Sequence, residues 1–200
     1  MLPTSSLLVA LRDATAAHHR RTEAVIPILD PALDLHGYAT VLRRMLDVLA
    51  PLERALDRAL AGAALVWDDA SVGWPVRHKA ALLERDLAVL AARGVVPGEA
   101  SAPLDDRWPD DVPSSLGALY VVEGATLGGQ IVLRRVAPRL GLAAETGAAF
   151  YTGYGPRTGA MWQAFASTVA RWEGAHAEGA PAVVAAACRT FDRLTERFTR

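Results

Sequence analysis

Four glycines interrupt a stretch that otherwise has the pattern of one long helix, from about residue 113 to residue 137. They are Gly117, Gly124, Gly128 and Gly129. A glycine inside a helix costs about 1 kcal/mol relative to alanine, and alanine is used freely elsewhere in the chain. The spacing of the first three by seven and four residues places them near one helix face. A face without side chains lets a large flat molecule lie against the backbone, and it lets the helix bend. The pattern therefore predicts a planar cofactor site.

Apolar residues recur at helical spacing along nearly the whole chain, and no alternating pattern of useful length indicates a strand. This favours an all-α helical bundle and one domain over residues 1–200. Pro51 is expected to kink or split the second helix, and residues 97–112 are predicted to form a loop. The predicted helices cover residues 4–26, 37–61, 76–94, 113–137, 145–154, 157–172 and 181–199.

Bulk composition argues against several function classes. The formal net charge of −1 does not indicate nucleic-acid binding. A single cysteine, Cys188, excludes an internal disulfide framework. The first residues lack the basic region of a signal peptide, and no run of about 18 apolar residues predicts a membrane span. We therefore expect a cytoplasmic protein that binds neither nucleic acid nor membranes.

Two adjacent histidines in the first predicted helix are candidate metal ligands. Leu11, Thr15, His19 and Glu23 recur every four residues and so form one stripe along the helix. A neutral imidazole on this stripe binds a metal through one nitrogen and leaves the other for an acceptor such as Glu23. Spacing alone favours the simpler interpretation, in which His18 and His19 lie at the edge of an amphipathic helix without a functional role.

Two segments resemble a known family. Residues 11–23, LRDATAAHHRRTE, resemble the start of the proximal helix of the biliverdin-forming heme oxygenases. Residues 123–130, EGATLGGQ, are similar to the distal helix of that family, with its Gly-x-x-x-Gly-Gly-Gln signature. A weaker match over residues 150–165, FYTGYGPRTGAMWQAF, resembles the bacterial branch that is associated with bacteriophytochromes. The order and spacing of the first two segments agree with the family.

The resemblance implies a single-domain bundle in which heme is sandwiched between a proximal helix and a kinked distal helix. His19 would be the proximal iron ligand, and Glu23 would orient or stabilise its helix. Arg12 would contact a heme propionate. Gly124 and Gly128 would let the distal backbone pack on the opposite face and leave room for dioxygen. Further implied heme contacts are Thr15 and Gly129.

The implied activity is oxidative cleavage of heme to biliverdin, carbon monoxide and ferrous iron. Heme is then cofactor and substrate together, dioxygen is the oxidant, and an external reductase or ferredoxin supplies the electrons. An electron-donor protein is therefore an expected partner, and a bacteriophytochrome is a further one, as the receiver of biliverdin. The predicted catalytic residues are His19, Gly124 and Gly128, and His19 is the predicted metal ligand.

One position departs from the family pattern. Many heme oxygenases carry an aspartate directly after the glycine that matches Gly124, and this acid organises the distal water. Here the residue is Ala125. Three explanations are open. In the first, backbone groups around Gly124 and Gly128 hold the water. In the second, the protein binds heme but turns it over poorly. The third explanation is that another polar group replaces the acid, such as Thr126, Gln130 or an arginine. The bacterial branch tends to lack the acid, which favours replacement or a backbone-held water.

Other interpretations stay open. A heme carrier without turnover is the main alternative, and Ala125 supports it. An enzyme of the same fold that acts on another small molecule is a third, since thiaminase-like proteins use a cysteine, although no such site surrounds Cys188 in the sequence. Glu173 and His176 form a Glu-x-x-His pattern of di-iron bundles, but no second copy occurs. Arg157 fits a propionate contact and a surface charge at a helix start equally well.

Overall fold

The computed structural model describes residues 5–63, 65, 67–68, 70–98 and 108–200. Over these ranges the chain is all-α and contains no strand, as its periodicity predicts. Short 3-10 and π-helical turns join most of the α-helices. The helices are α1 (Ser6–Val25), α2 (Leu35–Leu60), α3 (Ala80–Ala92), α4 (Val112–Arg135), α5 (Ala149–Thr152), α6 (Thr158–Ala175) and α7 (Ala180–Thr199).

Capping side chains determine where the long helices begin. The side chain of Ser5 accepts a hydrogen bond from the backbone N–H of Leu8 at the start of α1. Asp111 accepts one from the backbone N–H of Ser114 at the start of α4. Each bond satisfies a donor that has no partner within the helix, which is worth about 1 kcal/mol. The caps therefore fix the residues at which α1 and α4 begin.

Helix α4 lies at the centre of the bundle and packs most extensively against α7, which also covers α1. Its apolar side chains, among them Leu116, Leu119 and Val122, belong to the hydrophobic core. Among the described helices, α4 alone is long and apolar enough to cross a membrane by composition. Half of that segment is buried inside the bundle, and its packing against α7 accounts for the apolar composition.

The expected split of the second helix at Pro51 does not occur, whereas the expected kink there stays a prediction. Helix α2 continues through Pro51 without a break, because Leu49 and Leu52 on either side are held in the core and this packing outweighs the lost backbone hydrogen bond. The predicted loop over residues 97–112 ends where α4 starts, and residues 99–107 of it lie outside the described ranges.

The glycines of α4 do not interrupt it, since the helix is continuous over its 24 residues, and the kink expected there stays a prediction. The same holds for the expectation of one domain over residues 1–200. The buried core nevertheless draws side chains from α1, α2, α3, α4, α6 and α7, for example Leu11, Leu52, Leu90, Leu119, Phe165 and Phe191.

Candidate functional site

A cavity of about 770 Å³ lies between α1, α2, α4 and α7. Sites for small molecules and cofactors typically measure about 300–1,000 Å³. Most of the lining is apolar and includes residues such as Val48, Phe150 and Leu194. The charged lining residues are Arg12, Arg20, Glu23 and Lys79, in addition to the titratable His19. A lining of this kind suits a large and mostly apolar ligand that carries a few charged groups.

Gly124 and Gly128 form a stretch of bare backbone along the α4 wall of the cavity. A Cβ atom built on either residue would meet no other atom within 4 Å, and both residues line the cavity. No neighbouring helix fills this face, so a side chain added at either position would project into the open space. The geometry is that of a cradle for a flat ligand.

The other two glycines of α4 serve helix packing. A Cβ on Gly117 would lie 2.2 Å from the carbonyl oxygen of Val183 in α7. The expectation that Gly117 shares the ligand face is wrong, because α7 already occupies that face at this point. A Cβ on Gly129 would lie 3.3 Å from the carbonyl oxygen of Tyr151. Gly129 therefore lines the cavity while it also lets α5 approach α4.

The structure separates the two histidines of α1. His19 lines the cavity, whereas His18 does not. The Nδ1 atom of His19 lies 3.2 Å from Oε2 of Glu23, and its ring meets Phe191 edge-on with 5.5 Å between the ring centroids. These contacts orient the imidazole and leave Nε2 available to a ligand. His18 instead bonds to Asp192 through Nδ1, at 2.6 Å.

Two further predicted residues, Arg12 and Thr15, line the cavity from α1. The Arg12 side chain is exposed and pairs with Asp13, whereas Thr15 is buried and donates its hydroxyl proton to the carbonyl of Leu11. Arg157 is exposed, lies at the start of α6 and is not among the residues that line the cavity. The structure therefore brings Arg12 and Thr15 to the site, but not Arg157.

Two of the polar residues considered as substitutes for an acid at position 125 are Thr126 and Gln130. Ala125 and Thr126 both line the cavity, but the Thr126 hydroxyl donates to the carbonyl oxygen of Val122 at 3.0 Å. Gln130 is not among the lining residues, and its buried Nε2 has no hydrogen-bond partner within the described part of the chain. Neither side chain offers a free donor to the cavity.

Sequence reasoning missed two charged residues of the cavity, of which Arg20 is exposed and Lys79 is buried. Lys79 is 2% exposed and lines the cavity from the residue before α3. Its backbone N–H donates to the carboxylate of Glu53 in α2, which fixes its position. Burial lowers the pKa of Lys79 from 10.5 to about 8. No motif marks this residue, and its one signal in the sequence is that it is the only lysine in the chain.

A buried ion pair stands behind the α4 wall. The Nη1 atom of Arg77 lies 2.5 Å from Oε2 of Glu123, and both side chains are almost fully buried. The hydroxyl of Tyr154 donates to Oε1 of Glu123 at 2.7 Å. Burial raises the pKa of Glu123, and the nearby cations Arg77 and Lys79 oppose that shift. The pair anchors α4 at the residue directly before Gly124.

The site is not built for a bare metal ion. Within the described ranges there is no group of three or more His, Cys, Asp or Glu side chains that could hold one. Glu173 is engaged by Ser5 and by the backbone N–H of Leu7, and Cys188 does not line the cavity. One imidazole beside bare backbone instead fits an iron whose remaining ligands come from a flat macrocycle, as in heme.

Comparisons with known proteins identify the family and the fold. A family model described as heme oxygenase matches residues 5–200. A heme oxygenase from Xanthomonas campestris pv. campestris (strain 8004) is 36% identical over 109 residues, which are 54% of this chain and 57% of that protein. The match thus spans little more than half the length of this relative.

Three solved structures share the fold. Heme oxygenase 2 from Chlamydomonas reinhardtii, determined without heme, has a TM-score of 0.77 at 22% identity, with 96% of both chains covered. Heme oxygenase from Leptospira interrogans has a TM-score of 0.74 at 20% identity, over 97% of this chain and 98% of that one. The NO- and CO-bound heme oxygenase from Neisseria meningitidis has a TM-score of 0.72 at 19% identity, over 98% and 94%. At such identities the likeness shows the fold.

Proposed function

Because the chain belongs to the heme oxygenase family, we propose that it cleaves heme oxidatively to biliverdin, carbon monoxide and ferrous iron. Heme is the substrate and also supplies the iron that activates dioxygen, and an external reductase or ferredoxin supplies the electrons. The observation that carries the proposal is that His19 from α1 and the bare backbone of Gly124 and Gly128 from α4 line one cavity.

In this proposal, residues of α1 bind the iron and the propionates of the heme. His19 would hold the iron through Nε2, because Nδ1 faces the carboxylate of Glu23. A carboxylate in this position fixes the tautomer and raises the basicity of the imidazole. Arg12 and Arg20 lie at the exposed edge of the cavity, where a guanidinium pairs with a propionate that stays in contact with water. Thr15 packs beside them as part of the buried wall.

In this proposal, residues of α4 determine how much space remains between the helix backbone and the heme. Gly124 and Gly128 add no side chain, so the macrocycle can approach the helix backbone and a small molecule such as dioxygen fits beside it. Gly129 contributes backbone to the same wall. The lining around these glycines is mostly apolar and so offers water few hydrogen-bond partners.

The cellular setting is a further part of the proposal. We expect one domain over residues 1–200 in the cytoplasm, supported by a core shared among the long helices. An electron-donor protein is a required partner of this chemistry. A bacteriophytochrome as receiver of biliverdin is supported by the resemblance of residues 150–165 to the bacterial branch.

The test of the proposed function is reconstitution with hemin, followed by a reductase system and air. Turnover removes the Soret band and produces a broad absorption in the red. His19→Ala should abolish turnover, because the iron loses its protein ligand. His18→Ala is the matched control, since His18 bonds to Asp192 and does not line the cavity. Loss of turnover in His18→Ala but not in His19→Ala would overturn the assignment of the ligand.

A heme carrier is the second candidate, and the aliphatic side chain of Ala125 in the lining favours it. A carrier binds hemin but keeps an unchanged Soret band when reductant and air are present. Failure of the unsubstituted protein to bind hemin would remove both candidates and point to another small molecule.

A further inference from the structure

The ammonium group of Lys79 is a buried donor without an acceptor. Its Nζ atom makes no hydrogen bond to any residue that the structure describes, and only 2% of the residue is exposed. An ammonium group carries three N–H donors, and buried polar groups in folded proteins nearly always have a partner. Because Lys79 lines the cavity, we infer that its partner is a molecule inside the cavity.

The protein groups around Lys79 leave that donor unused. Its Nζ atom lies 3.3 Å from the centroid of the Tyr154 ring, so one side of the ammonium group faces an aromatic surface. Glu123 is the strongest attractive charge, but its oxygens already accept from Arg77 and Tyr154. Glu53 accepts from the backbone N–H of Lys79. Two carboxylates, Glu123 and Glu53, and one further cation, Arg77, act on Lys79, but no carboxylate oxygen among the described residues accepts a hydrogen bond from its Nζ atom.

The position of Lys79 distinguishes it from the other cations of the cavity. Arg12 and Arg20 are exposed and suit carboxylates that remain in water. Lys79 is buried, and its neighbour Glu123 directly precedes Gly124 on the α4 wall. Thr126 on the same wall already donates to a backbone carbonyl. Lys79 is therefore the charged donor available to a small ligand on the α4 side.

We propose that Lys79 hydrogen-bonds to a water molecule or small anion on the α4 side of the cavity, and thereby substitutes for the acid whose position is occupied by Ala125. The proposal rests on heme binding as described above. Lys79 acts here as a positioning residue that holds the acceptor in place by donating a hydrogen bond to it. A pKa of about 8 is compatible with this role, because the group is then mostly protonated at neutral pH.

The first test uses fluoride as the probe, with hemin-loaded protein and detection by absorption. Fluoride is a small anion that binds ferric heme and accepts hydrogen bonds. Lys79→Met keeps the length of the side chain and its packing against Tyr154, but it removes the donor. We expect its fluoride affinity to fall about tenfold, in line with the loss of one charge-assisted hydrogen bond. Equal fluoride affinities in the two proteins would overturn the proposal.

A matched control separates this effect from general electrostatics. Arg85 is an exposed cation of α3 that does not line the cavity, so Arg85→Met should keep the fluoride affinity of the unsubstituted protein. Thermal unfolding of each apoprotein, together with its hemin affinity, shows that the variants are folded. A fall in fluoride affinity that is equal in Arg85→Met would contradict a specific role for Lys79.

The second test needs no substitution. Because the chain has one lysine, protein that carries ¹³Cε-lysine gives one side-chain signal, whose chemical shift reports the protonation of Lys79. In the apoprotein we expect a midpoint near the lowered pKa of about 8. Loading with diamagnetic gallium protoporphyrin should move the midpoint upward, because an acceptor near the ammonium group favours its charged form. An unchanged or lower midpoint would contradict the proposal.

The two proposals fail in different ways. Unsubstituted protein that does not bind hemin removes the proposed function and the role of Lys79 with it. Unsubstituted protein that degrades hemin, while Lys79→Met keeps full fluoride affinity, removes the role of Lys79 alone.

Discussion

Two pairs of glycines on the same helix have opposite surroundings. Gly117 and Gly129 lie against other helices, and an added Cβ would come within 2.2 Å and 3.3 Å of a backbone oxygen. Gly124 and Gly128 face open space in the cavity. The first pair removes side chains so that the protein can pack against itself. The second pair removes them where no other part of the described protein packs, and this is the space that the proposed ligand would occupy.

The contrast also shows what residue spacing leaves undetermined. Ideal helical geometry places Gly117, Gly124 and Gly128 near one face. The structure that this face contacts is not the same along its length. Val183 and Ala186 of α7 contact it at Gly117, whereas Gly124 faces the cavity. Which element contacts each glycine depends on tertiary packing. Substitution of each glycine therefore tests whether protein or open space lies against it.

The largest effect is expected for Gly117→Ala. The new Cβ would lie 2.2 Å from the carbonyl oxygen of Val183 and 2.8 Å from the Cβ of Ala186, so α4 and α7 must separate. Overpacking of this kind costs about 3 kcal/mol or more. Urea unfolding of the apoprotein measures the loss, and a free energy of unfolding equal to that of the unsubstituted protein would show that the helices are not in close contact.

The next effect, Gly128→Leu, should appear in ligand binding rather than in folding. The side chain enters open space in the apoprotein, so the midpoint of unfolding should stay close to its original value. Hemin affinity should fall by about tenfold to a hundredfold, because the leucine occupies volume that the macrocycle needs. Normal hemin affinity and normal oxygen chemistry in this variant would argue against packing of the ligand on α4.

A smaller effect of opposite sign is expected for Gly124→Ala. No atom lies within 4 Å of the new Cβ, and alanine is a better helix former than glycine by about 1 kcal/mol. The apoprotein should therefore become more stable by about 0.5–1 kcal/mol, while hemin binds more weakly. A destabilised apoprotein, measured by urea unfolding beside Gly117→Ala, would show that this face is covered by protein.

The smallest effect is expected for Gly129→Ala, because Gly129 both contacts α5 and lines the cavity. Its Cβ would be 3.3 Å from the carbonyl oxygen and 3.4 Å from the ring of Tyr151, so a slight shift of α5 is needed. The gain in helix propensity offsets this cost, and the free energy of unfolding should change by less than about 1 kcal/mol. A loss as large as that of Gly117→Ala would place Gly129 with the rigid packing positions.

Periodicity predicted the helices because each one buries an apolar stripe, and the sequence of α2 or α7 displays that stripe directly. The glycine spacing of α4 also indicated Gly124, whereas spacing alone favoured no role for His19, and only the resemblance of residues 11–23 to a known family pointed to it. Lys79 was not predictable in this way. Its importance comes from burial beside Tyr154 and Glu123, two residues far away in sequence.

Arg157 shows the same limit from the other direction. Its position after a glycine-proline turn was compatible with a ligand contact and with a helix start. Only the placement of α6 decides that its side chain is exposed and apart from the cavity lining. Residues that depend on one local pattern can be predicted, whereas those that depend on the meeting of distant segments require the three-dimensional structure.

The packing of α1 on α7 has a consequence for the order of events during biosynthesis. His19 reaches its orientation by contact with Phe191, and Thr22 bonds to the carbonyl of the same residue. The ribosome releases α1 long before it completes α7, so the imidazole lacks its contact with Phe191 while most of the chain is being made. The proposed heme site is therefore complete only after α7 has been made, and a nascent chain halted before α7 would carry the histidine without the α7 side of the cavity.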